Sequence, residues 1–296
     1  FGLASGPLAQ PLSGSIWPSA RFADVPAQAV DLDLALKLDH FQLGGDVALK
    51  GADLSLRREG ETLAVTVREG QFGSGQLAGV LTLRRDGGRL GATLRLSGQD
   101  WALADLVGAQ SGLTGQVQFE LDVGAAGVSL AELVSRSTGA GTLSWRNGQI
   151  SGLDPKAIGR VIETSRGMPD LARLRAEISR DVQLAPFRFE KAEAPLTLSD
   201  GVLRLSSLAI PQEQSHLQMS GQFDLRTLNS EARLSLTAKP PQGWKGPAPD
   251  LSVVLMSSGA GPVTREINVN SLYALLTTRA VEVEAERLIE EQKKSH

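Results

Sequence analysis

The stretch Gly139-Ala-Gly-Thr-Leu-Ser-Trp-Arg-Asn-Gly-Gln-Ile-Ser-Gly-Leu-Asp-Pro155 changes from an extended to a helical pattern within a few residues. Thr142 to Trp145 alternates as a β-strand does, and Asn147 with Gly148 is typical of a tight turn with positive φ. Asp154 and Pro155 then suit the N-cap and the first position of a helix. The stretch therefore predicts a strand, a turn and a capped helix. We interpret it as a structural hinge formed by Asn147, Gly148, Asp154 and Pro155.

Segments that alternate strictly between apolar and polar residues lie on both sides of this stretch. Val30 to Leu38 alternates as expected of a strand with one buried face. Asp86-Gly87-Gly88 and Asp200-Gly201 separate pairs of such segments and are strong hairpin signals. Because the segments recur at roughly the 8–12-residue spacing of antiparallel sheets, the sequence predicts a β-meander. Loops rich in Gly and Pro are predicted from Gly6 to Pro26 and from Pro240 to Pro249.

Helical patterns are short, apart from the last one. Asp100 and Ser129 are candidate N-caps of two short helices, and an amphipathic pattern runs from Lys156 to Arg166. A longer amphipathic helix is predicted from Ser271 to about Gln292. Its acidic face disfavours binding to an anionic membrane, so we expect it to pack against the sheet or against a partner.

Composition excludes several classes of protein. The chain has 296 residues, a formal net charge of −3 and no cysteine, so it has no basic footprint for nucleic acid and no thiolate metal site or disulfide. Aromatic residues make up only 4% and glycine numbers 32, which favours repetitive sheet over a bulky core. The sequence begins at Phe1 with neither a signal peptide nor an apolar run of roughly 18 residues. We therefore expect any membrane anchor to lie upstream.

Residues that carry chemistry are scattered along the chain. His40, His216 and His296 are far apart in sequence, and the sequence has no nucleophile elbow, P-loop or calcium loop. Asp31 and Asp33 share the strand face opposite the leucines, where solvent-exposed charges are expected rather than metal ligands. We therefore predict no enzyme activity, no catalytic residues, no metal site and no cofactor.

Each predicted strand offers one row of apolar side chains and one row of polar ones. From the pattern alone, the first interpretation is a closed core in a β-sandwich or in a sheet covered by helices. The alternative is a curved sheet whose apolar side lines an open groove for acyl chains, because an alkyl chain offers nothing to hydrogen-bond. The small number of helices favours the alternative, since short helices cannot cover so many strands.

Several motifs, taken in order, resemble the AsmA family. The opening stretch is similar to the family signature G-x-G-x-L-x-x-x-(N/D)-G-x-I-x-G-(L/I)-D, and the helix from Ser271 is similar to the family's usual ending. The other matching motifs are Leu96-Ser-Gly-Gln-Asp-Trp101, Leu113-Thr-Gly115, Gly127-Val-Ser129 and Ala194-Pro-Leu-Thr-Leu-Ser-Asp-Gly-Val-Leu203. The similarity covers residues 90 to 296. The first third of the chain shares only the alternating strand pattern of the family and none of the quoted motifs.

The resemblance implies a location, a ligand and a function. Family members are anchored in the inner membrane of Gram-negative bacteria, expose a long β-rich periplasmic part, and are similar to bridge-like lipid-transfer proteins. It implies a periplasmic protein attached through an upstream segment, with phospholipid acyl chains as ligand and envelope proteins as further partners. The expected function is non-enzymatic phospholipid handling between the two membranes in outer-membrane biogenesis. The alternative is a structural or regulatory module with a closed core, which affects outer-membrane protein assembly through protein contacts.

We therefore predict a mainly β fold: an elongated, curved antiparallel sheet shaped like a groove, with short helices and a C-terminal amphipathic helix. Residues 1–136 are predicted to form an N-terminal meander and residues 137–296 the AsmA-like C-terminal region, in one continuous groove. Residues 117, 119 and 121 should share an inner face with residues 217, 219 and 223. The candidate groove residues are Leu34, Leu36, Val117, Phe119, Leu121, Leu217, Met219, Phe223, Leu234 and Leu236.

Overall fold

The computed structural model describes residues 16–23, 30–44, 47–165, 167–240, 242, 244, 246–259 and 261–294. Within these residues, thirteen strands form one antiparallel sheet in which each strand pairs with the next along the chain. The predicted loops at Gly6 to Pro26 and Pro240 to Pro249 lie partly outside the described residues. The strands are β1 (Leu32–Gly44), β2 (Val47–Glu59), β3 (Thr62–Phe72), β4 (Gly75–Asp86), β5 (Arg89–Ala102), β6 (Leu113–Gly127), β7 (Thr138–Ile150), β8 (Phe187–Ser199), β9 (Val202–Pro211), β10 (Ser215–Asp224), β11 (Asn229–Ala238), β12 (Asp250–Ser257) and β13 (Thr264–Asn268).

Helices lie between some of the strands and after the last one. The predicted mainly β fold with short helices and a C-terminal helix is confirmed. The helices are α1 (Leu103–Val107), α2 (Leu130–Ser135), α3 (Ala157–Thr164), α4 (Leu171–Asp181) and α5 (Asn270–Lys294), and a 3₁₀ turn covers Ala109–Ser111.

The sheet is open and curved, and a contact in its second half shows the curvature. Arg265 on β13 donates hydrogen bonds to the backbone carbonyls of Ser151, at 2.9 Å, and Gly152, just after the end of β7. In a flat sheet, six strand spacings of ~4.8 Å would separate these elements by roughly 29 Å. An arginine side chain spans only a fraction of that distance, so β7 to β13 must curl towards the face that carries Arg265.

The curled half of the sheet, β7 to β13, encloses a hydrophobic core, and α3, α4 and α5 cover the apolar side of this core. Ile158 of α3, Ile178 of α4 and Leu272 of α5 have no exposed surface, and they belong to one cluster with the strand residues. Burial of each such side chain contributes about 1.5–3 kcal/mol. Strand residues in this cluster include Trp145, Phe187, Ile210, Leu217, Leu234, Leu236, Leu251 and Val253.

β7 runs without interruption through the predicted turn at Asn147 and Gly148. Asn147 has a φ of +50°, and it lies where the register with β6 shifts between Thr114 and Gln116. Gly148 pairs with Phe189 of β8 and does not have positive φ. The predicted tight turn is therefore wrong. Asn147 supplies the left-handed residue of a β-bulge, which bends a strand instead of reversing it.

The helix predicted at Asp154 and Pro155 begins later than expected, and its N-cap is Lys156 and not Asp154. α3 starts at Ala157, and Pro155 lies in the turn before it. The Asp154 carboxylate accepts the backbone N–H of Lys156 at 2.8 Å. It also accepts a hydrogen bond from Arg160 at 2.9 Å, and Arg160 donates to the backbone carbonyl of Asp181 at 2.9 Å. Since Asp154 and Asp181 are buried, this network fixes α3 against the end of α4.

The two candidate caps of the short helices have different outcomes. Ser129 caps α2 as predicted, because its hydroxyl accepts the N–H of Glu132 at 3.2 Å. Asp100 does not cap α1, whose N-cap Ala102 makes no side-chain hydrogen bond. Instead Asp100 has a φ of +56° in a bulge of β5, and its carboxylate pairs with Arg146 at 3.1 Å.

The ends of the strands form two rims. The helical rim is the side on which α1, α3, α4 and α5 attach, and the turn rim is the opposite side, with α2 and the turns after β2, β4, β8 and β10. Residues 16–23 run along the turn rim. There the N–H of Ile16 bonds to the carbonyl of Arg226, and the N–H of Phe22 bonds to that of Val128, both at 2.9 Å. This segment therefore joins strand ends that are far apart in sequence.

Candidate functional site

The apolar face of the sheet consists of rows that cross the strands, because register partners lie on the same face. The first row joins Leu34, Leu56, Val65, Leu81, Leu94, Val123, Gly139, Leu198, Leu203 and Phe223. The second joins Leu36, Leu54, Val67, Gly79, Leu96, Leu121, Gly141, Leu196, Leu205 and Gly221. Leu121 and Gly221 lie in the same row. The prediction that residues 117, 119 and 121 share a face with residues 217, 219 and 223 is therefore confirmed.

Over β1 to β6 the described residues leave most of this face uncovered. Leu34 and Leu36 are 39% and 40% exposed. The smaller core cluster here is built by strand residues alone, around Leu49, Ala52 and Leu54. We call the apolar side of β1 to β6, from the turn rim to the helical rim, the open face. Its half-buried residues are Leu56, Leu63, Val65, Leu81, Leu83, Leu94, Leu96, Leu121 and Val123.

Over β7 to β13, and at the helical end of β6, the same face belongs to the closed core. The prediction of an open groove is wrong for half of the candidates, because α3, α4 and α5 cover more of the sheet than their short patterns indicated. Phe119 lies at the boundary, and Leu34, Leu36, Leu121 and Phe223 keep exposed surface. The sheet continues across the predicted boundary between residues 136 and 137, since β6 on one side pairs with β7 on the other. The covered candidates are Val117, Leu217, Met219, Leu234 and Leu236, each at most 5% exposed.

A row of aromatic rings lies where the open face meets the closed core, near the helical ends of β5 to β8. Each of four rings lies on a glycine of the preceding strand, at a point where a Cβ atom would come within 2.5 Å of the ring. No larger residue fits in these places without moving the ring. The pairs are Trp101 on Gly75, Phe119 on Gly98, Trp145 on Gly115 and Phe189 on Gly148. We call these four rings the aromatic row.

The two tryptophans of the aromatic row are fixed by their indole N–H groups. Trp101 donates to the carbonyl of Gln76 at 2.9 Å, and Trp145 donates to that of Thr114 at 3.0 Å. Ring contacts join the row, since the centroid of Trp101 lies 5.7 Å from Phe119 and that of Trp145 lies 4.7 Å from Phe189. The sequence analysis missed this feature. Its signal is the repeated Gly-Gln-apolar triplet at 75–77 and 115–117, with a tryptophan 24 residues after the first triplet and 28 residues after the second.

Apart from Arg265, whose pKa is lowered by burial, the charged groups with shifted pKa values serve structural ion pairs and caps. Hydrogen bonds from the Arg226 side chain hold the pKa of Asp224 below its usual range, at the turn after β10. The backbone N–H of Val128 lowers the pKa of Glu132 in the same way at the start of α2. Within the described ranges, no group of three or more metal-ligating side chains comes together. The geometry therefore directs attention to the open face.

A depression of about 490 Å³ lies on the polar face of β6, β7 and β8. Three of its four charged lining residues form ion pairs: Lys191 pairs with Glu193 at 2.7 Å, and Arg146 pairs with Asp100 beside the depression. Paired charges of this kind leave little attraction for an ionic ligand.

Comparisons with known proteins give no family for this chain. No family model matches it, and neither a curated protein nor a solved structure matches it. In the part of the chain that the structure describes, none of the helices combines the length and the apolar character needed to span a bilayer. Function must therefore be inferred from the geometry and chemistry of the open face.

Proposed function

We propose that the open face binds phospholipid acyl chains, and that the protein handles phospholipid between the inner and outer membranes without enzymatic chemistry. The observation that carries this proposal is the pair of apolar rows across β1 to β6, which the described residues leave mostly uncovered. Leu34 and Leu36 at one end are about two-fifths exposed, and Leu121 and Val123 at the other end are half-buried. A soluble monomer rarely leaves a continuous apolar surface of this extent without a ligand or a partner.

The chemistry of the face suits alkyl chains better than polar ligands. The rows consist of leucine, valine and glycine, which offer no side-chain hydrogen bond. A polar ligand placed there would lose its hydrogen bonds to water without replacement, at a cost of about 1–3 kcal/mol for each group. An acyl chain would instead gain roughly 25 cal/mol for every Å² of apolar surface that it covers.

The cellular setting is part of the same proposal. It comprises a periplasmic location, attachment to the inner membrane through a segment upstream of this chain, and envelope proteins as partners. These features are supported by the resemblance of residues 90 to 296 to the AsmA family. They place an acyl-chain surface between two membranes, where phospholipid must cross an aqueous space.

A second candidate function is a module that acts through protein contacts, and the outer half of α5 favours it. Leu272 and Leu276 of α5 are buried in the core, whereas every residue from 281 to 294 is exposed. Val281 and Leu288 are 56% and 50% exposed, although they are apolar. An exposed helix with apolar and acidic residues suits a protein groove better than an anionic membrane.

Native mass spectrometry of the purified protein tests the first candidate. We expect bound phospholipid on the wild-type protein and its loss in Leu94→Asp, because this substitution places a charge in the first row. Thr93→Asp is the matched control, since Thr93 is exposed on the polar face of the same strand. Lipid-free wild-type protein, or equal loss of lipid in both variants, would contradict the proposal and favour protein contacts.

A further inference from the structure

The turn rim of the open face is basic where β2 to β5 reach it. The residues at and beside the turns after β2 and β4 include five arginines and four carboxylates, a balance of one positive charge. Asp31 belongs to this set because its carboxylate accepts the N–H of Gly60 at 2.9 Å. The set is Arg57, Arg58, Arg84, Arg85 and Arg89, with Asp31, Glu59, Glu61 and Asp86.

Two of these arginines lie on the apolar side of the sheet. Arg58 is the register partner of Leu32 and Leu63, and both of these are residues of the apolar side. Arg85 pairs with Leu90 and follows Leu83 by one full strand repeat. Both arginines are half-buried. The apolar rows of the open face therefore end at two cations.

The neighbouring arginines provide a contrast. Arg57 and Arg84 come directly before Arg58 and Arg85 in sequence, so they lie on the polar face. Arg57 pairs with Glu59 at 2.6 Å. Their charge equals that of Arg58 and Arg85, but they cannot reach a ligand on the open face.

The guanidinium groups of Arg58 and Arg85 keep donors for a ligand. Arg58 donates from Nε to the carbonyl of Gly60 at 3.3 Å, and Arg85 donates from Nη1 to the carbonyl of Ala23 at 2.8 Å. Each guanidinium carries five N–H groups, so these bonds use a minority of them. Neither arginine forms an ion pair with a described residue. The exposed carboxylate of Glu61 lies at the same rim, because the carbonyl of Glu61 accepts the N–H of Arg85 at 3.0 Å.

The length of the apolar surface behind these arginines fits an acyl chain. On β4 the apolar-side residues inward from Arg85 are Leu83, Leu81, Gly79 and Leu77. At ~3.3 Å per residue, the distance from residue 83 to residue 77 is roughly 20 Å. One leaflet of a bilayer has about 15 Å of hydrocarbon, half of the membrane core. A chain that starts at the turn rim therefore ends before or at the aromatic row.

We infer that Arg58 and Arg85 bind the phosphate group of a phospholipid whose acyl chains lie on the open face. This inference rests on the proposed function and adds the class of headgroup and the direction in which the lipid lies. The two guanidinium groups supply charge-assisted hydrogen bonds to phosphate oxygens, a contact that arginine makes with favourable geometry. Glu61 offsets part of the charge, and it disfavours a second anion beside the phosphate.

The test compares two double variants that remove the same charge from opposite faces. Arg58→Gln with Arg85→Gln changes the apolar side, and Arg57→Gln with Arg84→Gln is the matched control. Binding of phosphatidylglycerol and of diacylglycerol with the same acyl chains is measured for each protein, with inorganic phosphate as a competitor. We expect the first double variant to bind phosphatidylglycerol at least about tenfold more weakly, with diacylglycerol binding unchanged. The control should retain the affinities of the wild type for both lipids.

Each other outcome has a separate meaning. Equal weakening in the two double variants would overturn the inference, because it would show general attraction to charge. Equal binding of both lipids by the wild type would also overturn it and leave acyl-chain binding intact. Displacement of phosphatidylglycerol by millimolar inorganic phosphate would show that the arginines bind free phosphate, and it would contradict a phospholipid as their ligand. If the wild type binds neither lipid, the proposed function fails as well. Thermal unfolding of both double variants checks that each protein is folded.

Discussion

Leu236→Asp and Leu94→Asp place the same charge in the closed and the open part of one apolar face. Leu236 has no exposed surface and lies in the core under the helices. Its replacement loses about 1.5–3 kcal/mol of apolar burial. The unpaired buried carboxylate adds several kcal/mol. Because whole domains are stable by only about 5–15 kcal/mol, we expect this variant not to fold.

Leu94→Asp should be far milder. Leu94 is partly buried on the open face, so more than half of the apolar term, about 1–2 kcal/mol, is lost. Aspartate also fits a strand less well, by up to about 1 kcal/mol. The carboxylate reaches water and needs no partner. We expect a loss of about 1–3 kcal/mol and a melting temperature lower by several degrees.

Chemical denaturation followed by circular dichroism measures both variants. The alanine variants separate the charge from the lost packing: Leu236→Ala should cost about 2–5 kcal/mol, and Leu94→Ala about 1 kcal/mol. A folded Leu236→Asp protein with near wild-type stability would refute the closed core. Collapse of Leu94→Asp, comparable to that expected for Leu236→Asp, would refute the open face.

Four further predictions concern the aromatic row, the helix network, α5 and the turn after β10. Gly148→Ala should lower the unfolding free energy by about 1–3 kcal/mol, because the ring of Phe189 must move. Gly159→Ala in α3 has open space for the methyl group and should raise the unfolding free energy by about 0.5–1 kcal/mol. Equal denaturation midpoints of the two variants would contradict this. Asp154→Ala should lower the unfolding free energy by more than about 2 kcal/mol, because Arg160 loses a buried partner. Asp170→Ala removes only the exposed cap of α4 and should lower it by about 1 kcal/mol. Similar losses in the two variants would argue against the network. Removal of residues 281–294 should change the unfolding free energy by no more than about 0.5 kcal/mol. Removal of all residues from Ser271 onward should expose apolar core, which raises dye binding and self-association. If the protein that lacks the whole of α5 stayed monomeric and equally stable, this prediction would be wrong. The pKa of Asp224 is lowered by Arg226, so its contribution to stability is present above about pH 4 and is lost as the pH falls through the lowered value; Asp224→Asn should remove this part of the acid dependence, and an unchanged pH profile would show that the pair contributes nothing.

The strands could be predicted because their pattern is local. The period of two in Leu34 and Leu36, and the Asp-Gly turns, record which side of each strand faces apolar surroundings. Cover by helices is not local. Ile158 and Leu272 are far apart in sequence, and only the curl of β7 to β13 brings them over the same strands. The sequence therefore predicts which residues share the apolar face and leaves open which part is covered.

The region around Asn147 shows why a turn motif can mislead. Asn followed by Gly suits a type I′ hairpin turn and equally a bulge in which only Asn has positive φ. Pairing with β8, which lies beyond two helices in sequence, decides between them. Gly148 is required for a different reason, since Phe189 of that strand occupies the space of a Cβ atom. The role of the glycine depends on a contact across strands, which the local sequence does not contain.

The basic pair on the turn rim was partly visible in the sequence. Arg58 follows Leu54 and Leu56 at the same period of two, so its place on the apolar side could have been predicted. The place of Arg85 near it could not, because that depends on the register of β2, β3 and β4.

Photo-crosslinking with a phospholipid that carries a photoreactive group on its acyl chain tests most directly whether the open face holds lipid. The adducts are mapped by mass spectrometry of peptides from the wild-type protein. We predict adducts on the apolar residues of the first row, Val65, Leu81, Leu94 and Val123. Their neighbours on the polar face, Thr66, Thr82, Arg95 and Asp122, should remain unmodified. Adducts spread equally over both faces, or confined to the outer half of α5, would contradict the account.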